Sequence, residues 1–479
     1  MVGREKEKKE LEKLYGSGRA ELVAVYGRRR VGKTYLVDEV FQNRITFRHA
    51  GLSPVDENSK GLLRAQLNHF YNSLKLHGME DGERPDDWPE AFLMLEKRLQ
   101  ELDDGSRQVV FLDELPWMDT PRSGFIRAFE GFWNTWGCHR KNLMVIICGS
   151  ASSWMLNELI NNHGGLYGRV THEVKLSPFT LAECEKFYKS RNVSLSRYDI
   201  VQSYMIFGGI PYYMGYLDEE RSLAQNVDAL FFAKGAVLRP EYDRLFASVF
   251  KRPESVKAIT ELLYSRNMGY TRRDIAEKLN ISEGGHLTRD LNALIASDFV
   301  IRYVPFGMSK KEAYYKLTDP FCLFYLHFVK NQASANKLFW EQNVSMPLVS
   351  VWRGYAFENV CFNHIAQIKK ALGISGVISS ESAWTRKSEN DEEEGMQIDL
   401  LIVRNDNVVN MCEMKFYSDD FAVSREYYRT ILRRGEMLSR IISPKMSVYS
   451  TLITTFGLKK NEYSGAFVNT ITFDDLFGS

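Results

Sequence analysis

Cysteine is scarce in this chain. There are six in 479 residues, at Cys138, Cys148, Cys184, Cys322, Cys361 and Cys412, and no two have CxxC spacing. That pattern excludes a disulfide framework and a cysteine-based zinc site. A net charge of one sign is lacking as well. Lys+Arg number 62 and Asp+Glu 61, a formal charge of +1. Overall charge therefore recruits no polyanion, and any basic surface has to be local. Long apolar runs are missing: Leu143–Cys148, the longest beside a strand pattern, falls far short of the ~20 residues that cross a bilayer. There is no internal repeat. Low complexity is confined to Glu389-Asn-Asp-Glu-Glu-Glu394, which reads as an exposed loop. The opening residues Met1-Val-Gly-Arg-Glu-Lys-Glu-Lys-Lys-Glu10 are charged and lack the apolar core of a secretory signal. The expectation is a reduced, cytoplasmic protein with no membrane partner.

What is present is ordinary globular composition, 44% hydrophobic and 13% aromatic, enough for large cores. The length predicts three or four domains. Apolar strands at Glu21–Tyr26, Gln108–Leu112 and Leu143–Cys148 are joined by helical patterns. Buried strands connected by helices predict a parallel sheet covered on both faces. This α/β core is assigned to residues 1–178 and a helical lid to 179–250. A winged helix is assigned to 251–320, a helical linker to 321–350 and an α/β C-terminal domain to 351–479.

Gly27-Arg28-Arg29-Arg30-Val31-Gly32-Lys33-Thr34 fits GxxxxGK[ST] between a predicted strand and a predicted helix. Successive N–H groups in such a loop form a nest for phosphate oxygens, and the helix N-terminus adds positive charge. Lys33 is positioned for the β- and γ-phosphates of ATP, and the Thr34 hydroxyl for Mg2+. In Val109-Val-Phe-Leu-Asp113-Glu114, two acids emerge from an apolar strand. Asp113 can hold the metal through water, and Glu114 can orient the attacking water.

With these motifs the chain resembles the archaeal-type, STAND-related P-loop ATPases of the AAA class. Val2-Gly-Arg-Glu5, Gly149-Ser150, Gly168-Arg169 and Gly209-Ile-Pro211 extend the likeness over roughly the first 250 residues. The resemblance implies that the Gly-Arg-Glu segment lies near the adenine and that Pro211 packs against it. It places Ser150 at a sensor position. It makes Arg169 an arginine finger given by a neighbouring subunit, hence a homo-oligomer.

In the winged-helix region, Thr271 caps a second helix, and Leu287, Leu291, Leu294 and Ile295 give a third helix one apolar face. His286, Thr288, Arg289 and Asn292 are left for DNA contacts, with Arg272, Arg273, Lys310 and Lys311 on phosphate. Residues 251–316 hold twelve Lys/Arg against eight Asp/Glu.

Near the C-terminus, Ile398–Val403 and Val408–Lys415 form a predicted hairpin. Paired positions share a number sum, and a turn centred on Asp406 makes it 812. Asp399 then faces Glu413 with Cβ atoms about 5 Å apart, and Lys415 shares the Glu413 face. Two acids and a lysine so placed resemble the PD-(D/E)XK nuclease core. That likeness implies metal held by Asp399 and Glu413, a water activated by Lys415, and Glu358 as an additional acid from the first helix. The unit also resembles a domain of unknown function often fused to archaeal-type ATPases. Arg425, Arg429 and Arg433 repeat every four residues on the next helix, a basic stripe suited to a phosphate backbone. The reading is an ATPase acting on DNA. The alternative is a nucleotide-controlled DNA- or protein-binding module without nuclease activity.

Overall fold

The computed structural model describes residues 2–53, 59–160, 165–166, 168–250, 252–309, 312–332, 337–386 and 396–478. The acidic segment 389–395 and the wing lysines Lys310 and Lys311 lie outside the described residues. The chain divides into two compact units. The first comprises Met1–Pro178, Leu245–Pro253 and Asn292–Asp298, and the second the remainder.

The first unit is built on five parallel strands: β1 (Glu21–Tyr26), β2 (Ile45–Ala50), β3 (Gln108–Asp113), β4 (Leu143–Gly149) and β5 (His172–Lys175). Their spatial order is β2-β3-β4-β1-β5. Every residue of β1, β3 and β4 is buried, as continuous apolar runs require when helices cover both faces. Leu22, Ala24, Val110, Leu112, Val145 and Ile147 face a core of Phe70, Trp88, Phe92, Phe125, Phe129 and Trp133. The rings of Phe70, Phe92 and Phe125 surround Trp88 at centroid distances of 4.8–5.9 Å. The helix Trp88–Glu101 starts where the Asp87 carboxylate accepts the Glu90 N–H.

The second unit opens with helices Leu181–Ser190 and Arg197–Phe207. Thr180 and Glu183 cap the first reciprocally. Helices Pro253–Tyr264, Arg272–Leu279 and Gly285–Ala296, of which Pro253 and Asn292–Ala296 are counted with the first unit, alternate with the strands of a small antiparallel sheet. Its strands are β6 (Tyr270–Thr271), β7 (Val300–Tyr303) and β8 (Tyr314–Leu317), in the order β6-β8-β7. The capping box at Thr271 and Asp274 forms as its sequence predicts.

The C-terminal sheet is larger than the hairpin and final strand read from the sequence. It contains β9 (Ser379–Arg386), β10 (Met396–Arg404), β11 (Val408–Lys415), β12 (Ser447–Thr454) and β13 (Asn469–Thr472), in the order β13-β12-β11-β10-β9. The three strands β9, β10 and β11 pair antiparallel, while β12 and β13 continue in parallel. The helix that carries Glu358 spans Pro347–Asn363. Pro347 occupies the first turn, where its missing N–H is not needed.

His364 ends this helix fully buried. Its Nδ1–H donates to the Val360 carbonyl at 2.7 Å, and Nε2 accepts the Leu181 N–H at 3.0 Å. The bond accepted at Nε2 needs neutral imidazole, and burial pushes its pKa down to about 4. The unfolded chain binds that proton near pH 6.5, so stability is complete above 6.5 and falls as pH drops towards 4. We expect urea melts of the wild type to lose about 3 kcal/mol across that window from this residue. A His364→Gln variant, less stable at neutral pH, should show a correspondingly flatter pH dependence.

Candidate functional site

The carboxyl ends of β1, β3 and β4 meet at one edge of the first sheet, where open α/β sheets place their ligands. The loop after β1 turns through positive φ at Gly27 (147°), Arg30 (76°) and Gly32 (91°). A Cβ on Gly27 would stand 2.1 Å from the Leu176 carbonyl oxygen, so glycine alone fits. Gly32 then enters the helix Lys33–Phe41 without a capping side chain, leaving the first turn suited to an anion. Arg28 is buried, Val31 belongs to the core, and Arg29 lies 5.8 Å from the Trp117 ring. Lys33 is buried and curls over its own loop, donating to the carbonyls of Gly27 (3.0 Å) and Arg28 (3.1 Å).

The Thr34 hydroxyl donates to Asp113 Oδ2 at 2.8 Å. A hydroxyl beside a carboxylate, next to a phosphate nest, is a donor set that fits Mg2+. Glu114 follows with φ 45° and is held by the residue just after β4. Ser150 Oγ lies 2.7 and 2.8 Å from its two carboxylate oxygens, and the Ser150 N–H donates at 3.1 Å. Because β4 lies between β1 and β3, its last residue leads directly to this position. Gly149 is constrained there as well, since a Cβ would meet Pro116 at 2.8 Å and Met155 at 2.9 Å. Arg4 is buried, and its guanidinium donates to the Ser177 carbonyl at 2.5 Å. Arg169 stands exposed on a turn of this unit. Pro211 opens the helix Pro211–Met214 in the second unit.

The C-terminal set is arranged differently from the sequence expectation. The hairpin register does follow the sum of 812, with Leu400 paired to Cys412 and Val403 to Val409. A register shift against β9 falls between Ile398 and Leu401, and both of these residues pack in one core cluster although they are three apart. Such a bulge re-aims the residues within it, here Asp399 and Leu400. Val409, Met411 and Glu413 share the strand face covered by the helix Arg425–Ile441. The Glu358 helix packs on the opposite face, where the Phe357 and Phe416 rings are 5.5 Å apart.

Glu413 is consumed by its own neighbours. It is almost fully buried, accepts the Tyr427 hydroxyl at 2.6 Å and pairs with Arg434. Glu358 accepts from Asn267 Nδ2 at 2.8 Å and lies 3.8 Å from Lys316 Nζ. Lys316 itself sits 4.8 Å over the Phe362 ring. Burial holds the Glu358 carboxyl above the usual range, with the Asp399 charge adding to it, and burial pulls Lys316 down. Asp399 accepts from Gln397 Nε2 at 2.9 Å, and Lys415 Nζ is 5.2 Å from the Tyr427 ring. Among the described residues no three His, Cys, Asp or Glu side chains are grouped to hold a metal ion. Asp399 acts electrostatically on Glu358 and on Arg434, while Glu413 and Glu358 are each engaged by partners of their own.

Lys316, Asn267, Tyr427 and Arg434 were missed as site residues. Arg434 carries a legible signal, because it sits with Tyr427, Ile431 and Leu438 at helical spacing on the face that must be buried. A charge there needs a partner. Lys316 and Asn267 reach Glu358 only through long-range folding. Of the predicted DNA-facing residues, His286, Arg289 and Asn292 are exposed and Thr288 is half-buried. Arg273 pairs with Glu277 at 2.8 Å, and Arg272 lies 3.7 Å from Glu283. Arg425, Arg429 and Arg433 are exposed as a stripe.

Breaking the buried Glu413 pair by Arg434→Met should destabilise the chain by about 3–5 kcal/mol in urea melts. Adding Glu413→Gln should recover part of that loss, because the uncompensated charge is then gone.

Over 455 residues, 91% of its own length and 92% of the relative's, this chain is 25% identical to an uncharacterized protein of Methanocaldococcus jannaschii. Among solved structures it is similar to a Walker-type ATPase of Pyrococcus abyssi, at 17% identity over 68% of this chain and 96% of that one, TM-score 0.46. It is similar to the ORC2 protein of Aeropyrum pernix at 13% identity, over 71% and 95% of the two chains, TM-score 0.39. A STAND protein of Pyrococcus horikoshii with a tetratricopeptide repeat sensor matches at 14%, over 78% and 52%, TM-score 0.31. No helix among the described residues is long and apolar enough to cross a membrane. Residues 1–217 match the ATPase domain found predominantly in Archaea, and the parallel sheet with its nucleotide loop is the fold of the α/β P-loop NTPases.

Proposed function

We propose that this chain binds and hydrolyses ATP in its first unit. In this reading the nucleotide state governs nucleic-acid binding by the second unit, without cutting. The observation that carries the ATPase reading is the junction of three strand ends. It brings Thr34 to within 2.8 Å of Asp113 and holds Glu114 on Ser150.

In this reading the turn Gly27–Lys33 receives the phosphates with its N–H groups. Lys33 exchanges the carbonyls of Gly27 and Arg28 for the β- and γ-phosphate oxygens. Thr34 and Asp113 would hold Mg2+, which when bound neutralises charge on the phosphoryl oxygens. Glu114 accepts the proton of the attacking water, and Ser150 fixes its carboxylate until the water is in place. Arg169, exposed on its turn, serves a neighbouring copy in a homo-oligomer, where an arginine is worth about 10³–10⁵ in rate. The Gly3-Arg4-Glu5 segment contributes to the adenine site.

Across residues 253–317, the order helix, β6, helix, helix, β7, β8 supports a winged helix, with exposed His286, Arg289 and Asn292 offered to DNA. The C-terminal sheet supports a nuclease-like fold. The engagement of Glu413 by Tyr427 and Arg434 favours binding over metal-dependent cleavage, so no hydrolytic step is assigned to Asp399, Glu413 or Lys415.

Lys33→Ala should lower ATP turnover by about 10²-fold or more, measured as phosphate release. Glu114→Gln should retain ATP binding while turnover falls about 10²–10⁴-fold. Wild-type turnover in Lys33→Ala would overturn the ATPase reading. Supercoiled plasmid incubated with the wild type and Mn2+ should remain uncut. Nicking that disappears in Asp399→Ala would show that the C-terminal domain cuts after all.

A further inference from the structure

Within the second unit a cavity of about 710 Å³ opens beside the end of β11. Arg353, Lys415, Tyr198, Tyr355, Tyr417 and Glu358 are among its lining residues. Its electrostatics differ from those of a metal site. Asp199 acts on the half-buried Arg353 from a distance but forms no ion pair with it. The Lys415 ammonium lies 5.2 Å from the Tyr427 ring and acts on Glu358 from a distance, with no ion pair among the described residues. The one acid on the lining, Glu358, is already engaged by Lys316 at 3.8 Å and Asn267 at 2.8 Å. The cavity therefore keeps two cations for an external anion.

The aromatic lining narrows that anion's identity. Tyr198 is stacked between Phe416 (5.2 Å) and Phe456 (5.6 Å), which makes it a fixed wall. Tyr355 and Tyr417 are 52% and 51% exposed, so ring surface remains for a ligand. Cations together with open rings match phosphates joined to flat bases. A duplex hides its base faces in the stack, whereas an unpaired strand offers them. The volume falls within the range of about 300–1,000 Å³ that holds compact ligands, enough for strand nucleotides.

We propose that this cavity binds single-stranded nucleic acid. Arg353 and Lys415 take the phosphates, and Tyr355 and Tyr417 stack on the bases. This rests on the nucleic-acid reading of the second unit and names the form of nucleic acid that this part of it recognises.

The test is fluorescence anisotropy on the full chain, in EDTA, with fluorescein-labelled oligothymidylate, a duplex of equal length and free thymidine monophosphate as competitor. The strand should bind about ten-fold more tightly than the duplex. Arg353→Gln, Lys415→Gln and Tyr355→Ala should each weaken strand binding about ten-fold. Arg353→Gln should also reduce the slope of log affinity against log salt by about 0.7, the value of one single-strand phosphate contact. Arg353→Lys should retain most of that slope, and ATP turnover in Arg353→Gln should stay at the wild-type rate. Equal binding of duplex and strand, unchanged by the three variants, would overturn the cavity assignment while leaving nucleic-acid binding elsewhere intact. Binding of neither would overturn both readings. Displacement of the strand by thymidine monophosphate at equal concentration would make the ligand a free nucleotide and overturn the strand assignment.

Discussion

The first unit depends on one topological constraint, the placement of β4 between β1 and β3. Three strands of continuous apolar residues can be buried only in the middle of a covered sheet, and their order decides which loops become neighbours. Pairing of Tyr26 with Gly149 and of Leu112 with Ile147 aligns the three carboxyl ends. The nucleotide loop, the acids after β3 and Ser150 are thereby brought to one edge. The Thr34–Asp113 and Ser150–Glu114 contacts follow from that alignment. Gly27 and Gly149 mark where the packing leaves no space for a side chain. Chemistry and hydrophobic burial are thus set by the same strand order.

The second unit is governed by buried charge. Lys316 with Glu358, and Arg434 with Glu413, place opposite charges inside the fold. Such pairs add little net stability, because desolvation offsets their attraction, yet removing one partner is costly. Their consequence is geometric. Each fixes the direction of a carboxylate that a metal would otherwise need, and each holds together elements far apart in sequence. Asn267 and Lys316 come from the region of the small sheet, and Glu358 from the helix that precedes the large one. The same pairing of Glu358 leaves Arg353 and Lys415 as the positive groups of the neighbouring cavity.

Much of the first unit was legible because its decisive strands are short, continuous apolar runs ending in polar motifs. The edge strands β2 and β5 were not. Ile45-Thr-Phe-Arg-His-Ala50 and His172-Glu-Val-Lys175 mix polar residues into half-exposed positions, and neither stands out from a loop. The Ser150 position followed from order along the chain, and its grip on Glu114 needed the fold. At the C-terminus, the period-two rule correctly joined Glu413 and Lys415, and turn arithmetic found the register. Neither rule says which helix covers which face, nor that a bulge falls at Asp399. The basic stripe drew attention to Arg425, Arg429 and Arg433, while Arg434, one position on, turned inward. Lys316 looked like one more charge in a basic region because its partner lies 42 residues away.

Nucleotide binding by the intact chain is the claim on which the functional account stands. Isothermal titration calorimetry with MgATP measures it without requiring turnover, oligomer assembly or a nucleic-acid partner. The account predicts a saturable heat at one site per chain, lost in a Gly27→Val variant whose side chain cannot fit beside Leu176. No heat of binding with correctly folded wild-type protein would contradict it.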